Sequence, residues 1–241
     1  MIPVSGLVSR EEKIMQGSGF RVAKYDDDLK SLNDLMNQLM LHTREAMIGA
    51  CEALNERNIE KAEFIAHNDD IIDHLDHMVH KTAHDLIMRY QPMARDLRQI
   101  LASMRVASDL ERIGDTAESI ARRVIHMGDR PQLAVRRIGS LAKLVLERFD
   151  RLIEAYEARS AVNADDVRAH DDEIDAAYYS ATADILSMME NDPGLVRTGA
   201  QLLSIAKSFE RVGDRLTNIA EQILYEIDGQ TEFAQRARIA Q

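Results

Sequence analysis

Residues 108–115 read Ser-Asp-Leu-Glu-Arg-Ile-Gly-Asp, and residues 207–214 read Lys-Ser-Phe-Glu-Arg-Val-Gly-Asp. The two stretches lie 99 residues apart and share a Glu-Arg-[Ile/Val]-Gly-Asp core. Around each of them apolar residues recur every three or four positions, which is typical of a helix that buries one face. The sequence therefore predicts an internal duplication built on a pair of helices. The matched apolar positions are Val106, Leu110, Ile113, Ala117, Ile120 and Val124, then Ile205, Phe209, Val212, Leu216, Ile219 and Ile223.

The same helical periodicity runs from about residue 26 to residue 228, and residues that begin, cap or end helices interrupt it. Asn side chains cap helices, Pro suits the first helical position, and Gly suits the residue after the end. These candidates are Asn58, Pro92, Pro131, Pro193 and Gly229, together with Asn163, which forms a possible capping box with Asp166. We predict six helices, at about 26–56, 58–90, 92–127, 131–160, 163–191 and 193–228.

Short loops make neighbouring helices antiparallel. A second, weaker match pairs Asp69-Asp-Ile-Ile-Asp73 with Asp171-Asp-Glu-Ile-Asp175 in the second helix of each half. The predicted fold is all-α, with two tandem antiparallel three-helix bundles related by internal duplication; a six-helix bundle without symmetry is the alternative. The expected domains are a partly ordered N-terminal tail (1–24), a first repeat (25–128), a second repeat (129–229) and a C-terminal tail (230–241).

The net charge of −11 disfavours a general nucleic-acid binder, which needs a cationic surface. Cys51 is the only cysteine, so neither a disulfide framework nor a thiolate metal site is expected. Residues 1–24 lack the apolar core of a signal peptide, and we find no apolar run of about 18 residues that would cross a bilayer. We expect a cytoplasmic protein.

Glu111 and Asp115 lie one turn apart on the polar face of their helix, and Glu210 and Asp214 repeat this spacing. Like charges at this spacing cost a helix about 0.2–0.5 kcal/mol. Each pair also has a mid-helix glycine beside it, which costs about 1 kcal/mol relative to Ala. Two explanations fit the repeated cost. Either a divalent cation binds the carboxylates, or the adjacent arginines neutralise them while the glycines serve close helix packing.

The second helix of each half adds a further carboxylate pair at the same spacing, Asp69 with Asp73 and Asp171 with Asp175. Since the second and third helices are antiparallel neighbours, four carboxylates can meet in the groove between them. Oxygen ligands favour hard or borderline cations such as Mg²⁺, Mn²⁺ or iron. A histidine stripe on the second helix is either a supplementary Zn²⁺ or Ni²⁺ site or a polar solvent face; it comprises His67, His74, His77, His80 and His84.

Several enzyme classes lack their motifs in this sequence. It contains no Gly-rich phosphate loop, no Glu-x-x-His pairs of a ferritin-like di-metal centre and no recognisable nucleophile motif. We therefore expect no catalytic activity and a role in binding protein partners. A metal-dependent phosphatase or hydrolase that uses the carboxylates as a two-metal centre is the alternative, and a purely structural helical scaffold is a third reading.

The duplicated Glu-Arg-[Ile/Val]-Gly-Asp, with Asp-x-x-x-Asp on the preceding helix, resembles the PhoU family of phosphate-uptake regulators. Asp214-Arg-Leu-Thr-Asn-Ile-Ala220 continues the resemblance, which covers about residues 25–228. It implies a cytoplasmic, often homodimeric negative regulator of the phosphate-starvation response. Such a protein links the ATPase subunit of the phosphate ABC transporter to a sensor histidine kinase.

The resemblance also implies surface clusters of divalent or multinuclear metal ions (iron, Mn, Mg or Zn). Carried onto this chain, the ligands are Glu111, Asp115, Glu210, Asp214, Asp69, Asp73, Asp171 and Asp175. Two departures stand out. Ser119 occupies the position of Asn218, so the first site is expected to lack a polar contact. Arg215 replaces the family's usual His, which is expected to place a cation beside the second site.

Overall fold

The computed structural model describes residues 10–67, 70–127 and 132–229, and in these ranges it contains helices and no strand. The expected all-α class is confirmed. Residues 1–9, 68–69, 128–131 and 230–241 lie outside the described parts. They include the start of the predicted N-terminal tail and all of the predicted C-terminal tail. The helices are α1 (Arg10–Glu56), α2 (Ile59–His67), α3 (Asp70–Tyr90), α4 (Ala94–His126), α5 (Gln132–Glu157), α6 (Ala161–Ala169), α7 (Asp171–Asn191) and α8 (Val196–Asp228), with a 3₁₀ turn at Pro193–Leu195 before α8.

The predicted second helix of the second half is two helices, α6 and α7, which meet at His170, whose φ and ψ are −110° and 25°. In the first half the structure describes α2 and α3 on either side of residues 68 and 69, which lie outside the described parts. The first turns of α3 and α7 are acidic. A helix N-terminus stabilises negative charge, so an aspartate-rich segment is better placed at a new helix start than in mid-helix.

Three predicted helix ends are confirmed. The backbone N–H of Lys61 donates to Asn58 Oδ1 over 2.9 Å and so caps α2. Pro193 opens the 3₁₀ turn, and Asp192 caps it by accepting from the N–H of Gly194. Gly229 ends α8 with a left-handed φ of 69°, a conformation that favours glycine.

Other predicted boundaries were wrong. Ser160, not Asn163, caps α6, since its hydroxyl accepts from the N–H of Asn163. Helix α4 begins at Ala94 after an extended Met93, so Pro92 is not its first residue. Helix α1 begins at Arg10, well before residue 26, and so continues through Gly17-Ser18-Gly19. Pro131 lies outside the described residues.

Each half is a three-helix bundle whose second member comprises two of the helices named above. Helices α1, α2 with α3, and α4 pack together in the first half, and α5, α6 with α7, and α8 in the second. The two motif helices, α4 and α8, also pack against each other, and α1 packs against α5. One continuous apolar core results, and every apolar position of the two matched stripes is buried in it. Among the described helices, none has the length and apolar character that a bilayer crossing requires.

Candidate metal centre

Three carboxylates of the first half meet in the groove between α3 and α4. Glu111 and Asp115 stand one turn apart on α4, and Asp73 lies in the first turn of α3. Each contributes one oxygen, and these three oxygens lie within 4.8 Å of one another. Asp73 and Asp115 are exposed, whereas Glu111 is half-buried, so the cluster is open to solvent. The predicted first-half ligand Asp69 lies outside the described residues.

Negative charges are crowded around Glu111 in this groove. Burial raises the pKa of Glu111, and the negative charges of Asp115, Asp76 and Asp73 raise it further. Burial, with a contribution from Asp73, likewise raises the pKa of Asp76. Both shifts mean that the folded groove favours either a proton or a cation beside these oxygens.

Asp76 was missed by the sequence analysis. It stands three residues after Asp73 on α3, and that i,i+3 spacing was the available signal. Its Oδ1 lies 3.4 Å from Nε2 of His80, which also lies 3.1 Å from the hydroxyl oxygen of Ser108. Asp76 therefore adds a fourth negative charge to the first-half groove.

The donor set fits a divalent cation. It offers three carboxylate oxygens on two helices, with an open side where water can complete the coordination. Oxygen-only ligation suits Mg²⁺, Mn²⁺ or iron better than metals that prefer thiolate. Asp73, Glu111 and Asp115 are the residues that would hold such an ion.

The second half arranges its predicted ligands differently. Lys207 Nζ contacts Glu210 Oε1 at 2.6 Å, and the hydroxyl of Thr217 donates to Asp171 Oδ1 at 3.1 Å. Among the described residues, oxygens from three carboxylates lie within 4.8 Å of one another only in the first half. No three of the described carboxylates of the second half come as close together. The structure therefore brings together the predicted first-half ligands that it describes, but not those of the second half.

The second-half acids still lie near one another. Burial raises the pKa of Asp214, and Glu210 and Asp171 add to the shift. Burial also raises the pKa of Asp175, with a contribution from Asp171. The hydrogen bond to Glu210 raises the pKa of Lys207, which stays charged among them.

Of the two sequence departures, Arg215 contacts the first half of the chain. Arg215 points away from the second-half acids and donates to Asp109 Oδ1 at 3.1 Å, across the contact between α8 and α4. Asn218 lines a groove between α4 and α8 together with Asp109. Thr217, which lies between Arg215 and Asn218 in the sequence, donates to the second-half carboxylate of Asp171. The motif comparison did not single out this residue.

The histidine stripe lies along α2 and α3. His74, His77 and His84 are exposed on α3, and the His80 and His84 rings lie 6.5 Å apart. Among the residues that the structure describes, no group of three potential ligands includes a histidine. The geometry thus gives no support to a supplementary Zn²⁺ or Ni²⁺ site.

A family profile described as PhoU domain matches residues 22–124 and again residues 138–223. The two matches contain both Glu-Arg-[Ile/Val]-Gly-Asp motifs and most of the chain. The chain belongs to the PhoU family. Its duplicated organisation is thus found independently of the sequence offsets, and each PhoU match includes one carboxylate groove.

Curated PhoU relatives extend over nearly the whole chain. A protein of Rhizobium meliloti named phosphate-specific transport system accessory protein PhoU homolog is 33% identical over 219 residues, which is 90% of this chain and 92% of the relative. A homologue of the same name from Caulobacter vibrioides is 31% identical over 90% of this chain and 96% of the relative.

Solved PhoU structures share the fold. The crystal structure of PhoU from Pseudomonas aeruginosa matches with a TM-score of 0.79 and 27% identity, covering 86% of this chain and all of that one. The phosphate transport system regulatory protein PhoU from Streptococcus pneumoniae gives a TM-score of 0.78 at 27% identity, covering 86% of this chain and 98% of that one. The PhoU-like arrangement of two duplicated helical bundles is confirmed.

Proposed function

We propose that this PhoU-family chain is a cytoplasmic accessory protein of a phosphate-specific transport system that represses the phosphate-starvation response when phosphate is plentiful. One observation carries the proposal: relatives named as accessory proteins of that system match over 90% of the chain. The match includes both repeats, so it is not a similarity of one helical bundle alone.

The proposed activity is that of an adaptor. A homodimer of the chain would connect the ATPase subunit of the phosphate ABC transporter with a sensor histidine kinase. An adaptor biases a kinase only if it binds one state of the assembly better than the other, and a tenfold preference needs about 1.4 kcal/mol. Long helical faces can supply that difference through modest contacts, without bond-breaking chemistry.

Metal binding in the first half is the second component of the proposal. A divalent cation would supply positive charge between α3 and α4. The residues that bind it are Asp73, Glu111 and Asp115, whose oxygens already lie within 4.8 Å of one another. Because Asp73 is on one helix and the other two are on its neighbour, their shared ligand would link the position of α3 to that of α4.

We further propose that the chain is not an enzyme. The relatives are named as accessory proteins, and the clustered carboxylates lie in an open groove in which two of the three are exposed. An enclosed site that excludes water and aligns a general base is the usual setting for hydrolysis.

Gene deletion tests the regulatory role. Without the protein, a reporter for phosphate-starvation genes should be expressed even in phosphate-rich medium, and the wild-type gene should restore repression. Normal repression in the deletion strain would overturn the proposal. Affinity purification from phosphate-replete and phosphate-starved cells then tests the partners, and recovery of neither the transporter ATPase nor a sensor kinase would remove the adaptor role.

The metal component needs its own variants. Elemental analysis of the untagged protein, before and after the combined changes Asp73→Asn, Glu111→Gln and Asp115→Asn, should show that the bound metal is lost. Glu190→Gln, which neutralises an exposed carboxylate at the end of α7, serves as the matched control. Equal metal in the wild type and the triple variant would overturn the assignment, and in that case the carboxylates are a solvated surface.

A further inference from the structure

Two of the differences between the corresponding grooves of the two halves change their charge. On the motif helices, Ser108 of α4 corresponds to Lys207 of α8 at the offset of 99 residues. On the preceding helices, Asp76 of α3 corresponds to Tyr178 of α7 at the offset of 102 residues. The first half thus has an acid and a hydroxyl where the second has an aromatic ring and an ammonium group.

In the structure the two second-half residues contact each other. Lys207 Nζ lies 5.3 Å from the centre of the Tyr178 ring, within the range of a cation–π interaction. The same nitrogen donates to Glu210 Oε1 at 2.6 Å. Ring and carboxylate together hold the ammonium group at the second-half acids, where it also interacts with Asp214.

Glu210 depends on this cation. Its side chain is only 14% exposed, whereas Lys207 keeps 43% of its side chain exposed. The second carboxylate oxygen, Oε2, is buried and has no hydrogen-bond partner in the described part of the chain. A desolvated carboxylate with one unsatisfied oxygen is costly without a neighbouring positive charge, and Lys207 supplies that charge.

In the first half, the position that corresponds to Lys207 holds no cation. Ser108 donates to the backbone oxygen of Met104 at 3.3 Å and lies beside His80, and it contributes no charge. Asp76 instead adds a carboxylate to the group around Glu111. The first-half groove therefore has an additional negative charge, whereas the second-half groove contains the positive charge of Lys207.

We propose that Lys207 is a built-in cation of the second half, which takes the place of a divalent ion, so that this half binds no metal while the first half does. The ammonium group already occupies Glu210 Oε1 and repels a second cation. The part of the proposal that concerns the first half rests on the proposed function. The part that concerns Lys207 does not.

The decisive experiment uses the full chain with the first-half site disabled by Glu111→Gln and Asp115→Asn. Titrated with Mn²⁺ and followed by electron paramagnetic resonance, this protein should bind no ion tightly. Adding Lys207→Ser should create a site that is at least about tenfold tighter than any residual binding, because a positive charge has left the groove. Asp214→Asn should abolish that new site.

Two results would overturn the proposal. One is Mn²⁺ binding by the disabled protein that Glu210→Gln removes, since Lys207 would then not prevent metal binding. The other is the absence of a new site after Lys207→Ser. Lys143→Ser is the matched control, because it removes an exposed lysine that pairs with a single carboxylate, that of Glu147, and it should create no site.

A measurement without metal tests separately whether Lys207 stabilises Glu210. In chelator, Lys207→Ser should lower the thermal midpoint, and Glu210→Gln in the same chain should recover it, since the unpaired buried charge is then gone. An unchanged midpoint in Lys207→Ser would overturn the role of the lysine as the partner of Glu210.

The reciprocal change tests the asymmetry from the other side. Ser108→Lys, in a chain whose second half carries Glu210→Gln and Asp214→Asn, should weaken Mn²⁺ binding at Asp73, Glu111 and Asp115. If the parent of that variant binds no Mn²⁺, the metal component of the proposed function fails. The lysine proposal is then still decided by the experiments on the second half.

Discussion

In the first-half groove, burial and negatively charged neighbours together raise the pKa of Glu111. Burial comes first among the causes that raise its pKa, followed by Asp115, Asp76 and Asp73. The unfolded chain separates these charges and exposes Glu111 to water, so its pKa there is near the ordinary 4.5. Folding therefore becomes less favourable as the pH rises from 4.5 toward the higher pKa of the folded protein.

Glu111→Gln should remove this pH-dependent cost. In chelator, the variant and the wild type should have similar free energies of unfolding at about pH 3.5, where the carboxyl is protonated in both states. Above 4.5 the variant should gain an advantage, reaching about 0.5 kcal/mol at neutral pH. Urea titrations across this pH range measure the difference, with Glu190→Gln as the exposed control. A variant that is less stable than the wild type at neutral pH would contradict the crowding described here.

Residue spacing predicted this groove only in part. Positions one turn apart on one helix are fixed by helix geometry, so the pair Glu111 and Asp115 could be found from the sequence. Which side chains reach across from the next helix depends on the rotation and register of both helices. For that reason Asp76 was missed. Lys207 lies three residues before Glu210 on the same helix, a spacing at which opposite charges commonly pair, so that contact was available from the sequence and was overlooked.

At the scale of helices, Gly213 illustrates how a costly residue can serve packing. It is buried in the middle of α8, and a Cβ built there would lie 3.0 Å from Cδ1 and Cγ2 of Ile174 on α7. This is tighter than ordinary van der Waals contact. Of the two explanations for the mid-helix glycine of the second half, close helix packing is the one that the contact supports.

Whether Gly213→Ala stabilises or destabilises the chain should depend on the residue at position 174. Alanine is the better helix former by about 1 kcal/mol, but overpacking against Ile174 costs about 1–3 kcal/mol. We expect Gly213→Ala to destabilise the wild-type chain by up to about 2 kcal/mol and to stabilise the Ile174→Ala chain. Urea denaturation of the four proteins gives the double-mutant cycle. Equal effects in both backgrounds would show that the two residues do not interact.

Helix periodicity predicted the long helices well and the short breaks poorly. Apolar spacing continues across His170 almost unchanged, so the sequence gives little sign that α6 ends and α7 begins there. Cap chemistry has a similar limit, since Ser160 and Asn163 are both good caps and only the path of the backbone decides between them. Element type is set by a dozen or more residues, whereas a boundary is decided by one or two.

The halves of the molecule are joined by polar contacts as well as by the core. Arg215 of α8 pairs with Asp109 of α4, and Arg44 of α1 pairs with Asp150 of α5. The Asp109 side chain is 17% exposed, and burial raises its pKa, while Arg215 acts in the opposite direction. Asp109 stands two residues before Glu111, so this ion pair fixes the contact between the halves directly beside the first-half groove.

Arg215→Met should destabilise the chain by about 1–2 kcal/mol at neutral pH, because Asp109 keeps its charge but loses its nearest cation. Protonation of Asp109 removes the charge that lost this partner, so the loss should shrink in acid. Arg211→Met, which removes an exposed arginine of the same helix, is the control. Replacing both partners, with Asp109→Leu added to Arg215→Met, should recover most of the loss. If Arg215→Met and Arg211→Met change the free energy of unfolding equally, the ion pair contributes nothing to stability.

The continuous core makes a prediction about the molecule as a whole. Phe209 lies on α8 and is fully buried in the apolar cluster that contains residues of both halves. Phe209→Ala should cost about 3–5 kcal/mol through lost contacts and the cavity left behind. Because α4 packs on α8, this cost should reach the first half, and unfolding should remain one cooperative transition.

Hydrogen exchange measured by mass spectrometry can test that coupling without dividing the chain. In Phe209→Ala, the slowest-exchanging amides of α3 should lose as much protection as those of α7, since both exchange through the same global unfolding. Leu186→Ala, on the exposed side of α7, should change neither by a comparable amount. A loss confined to α7 and α8 would show that the two repeats unfold independently. In that case metal in the first groove and charge pairing in the second could not influence each other through the stability of the fold.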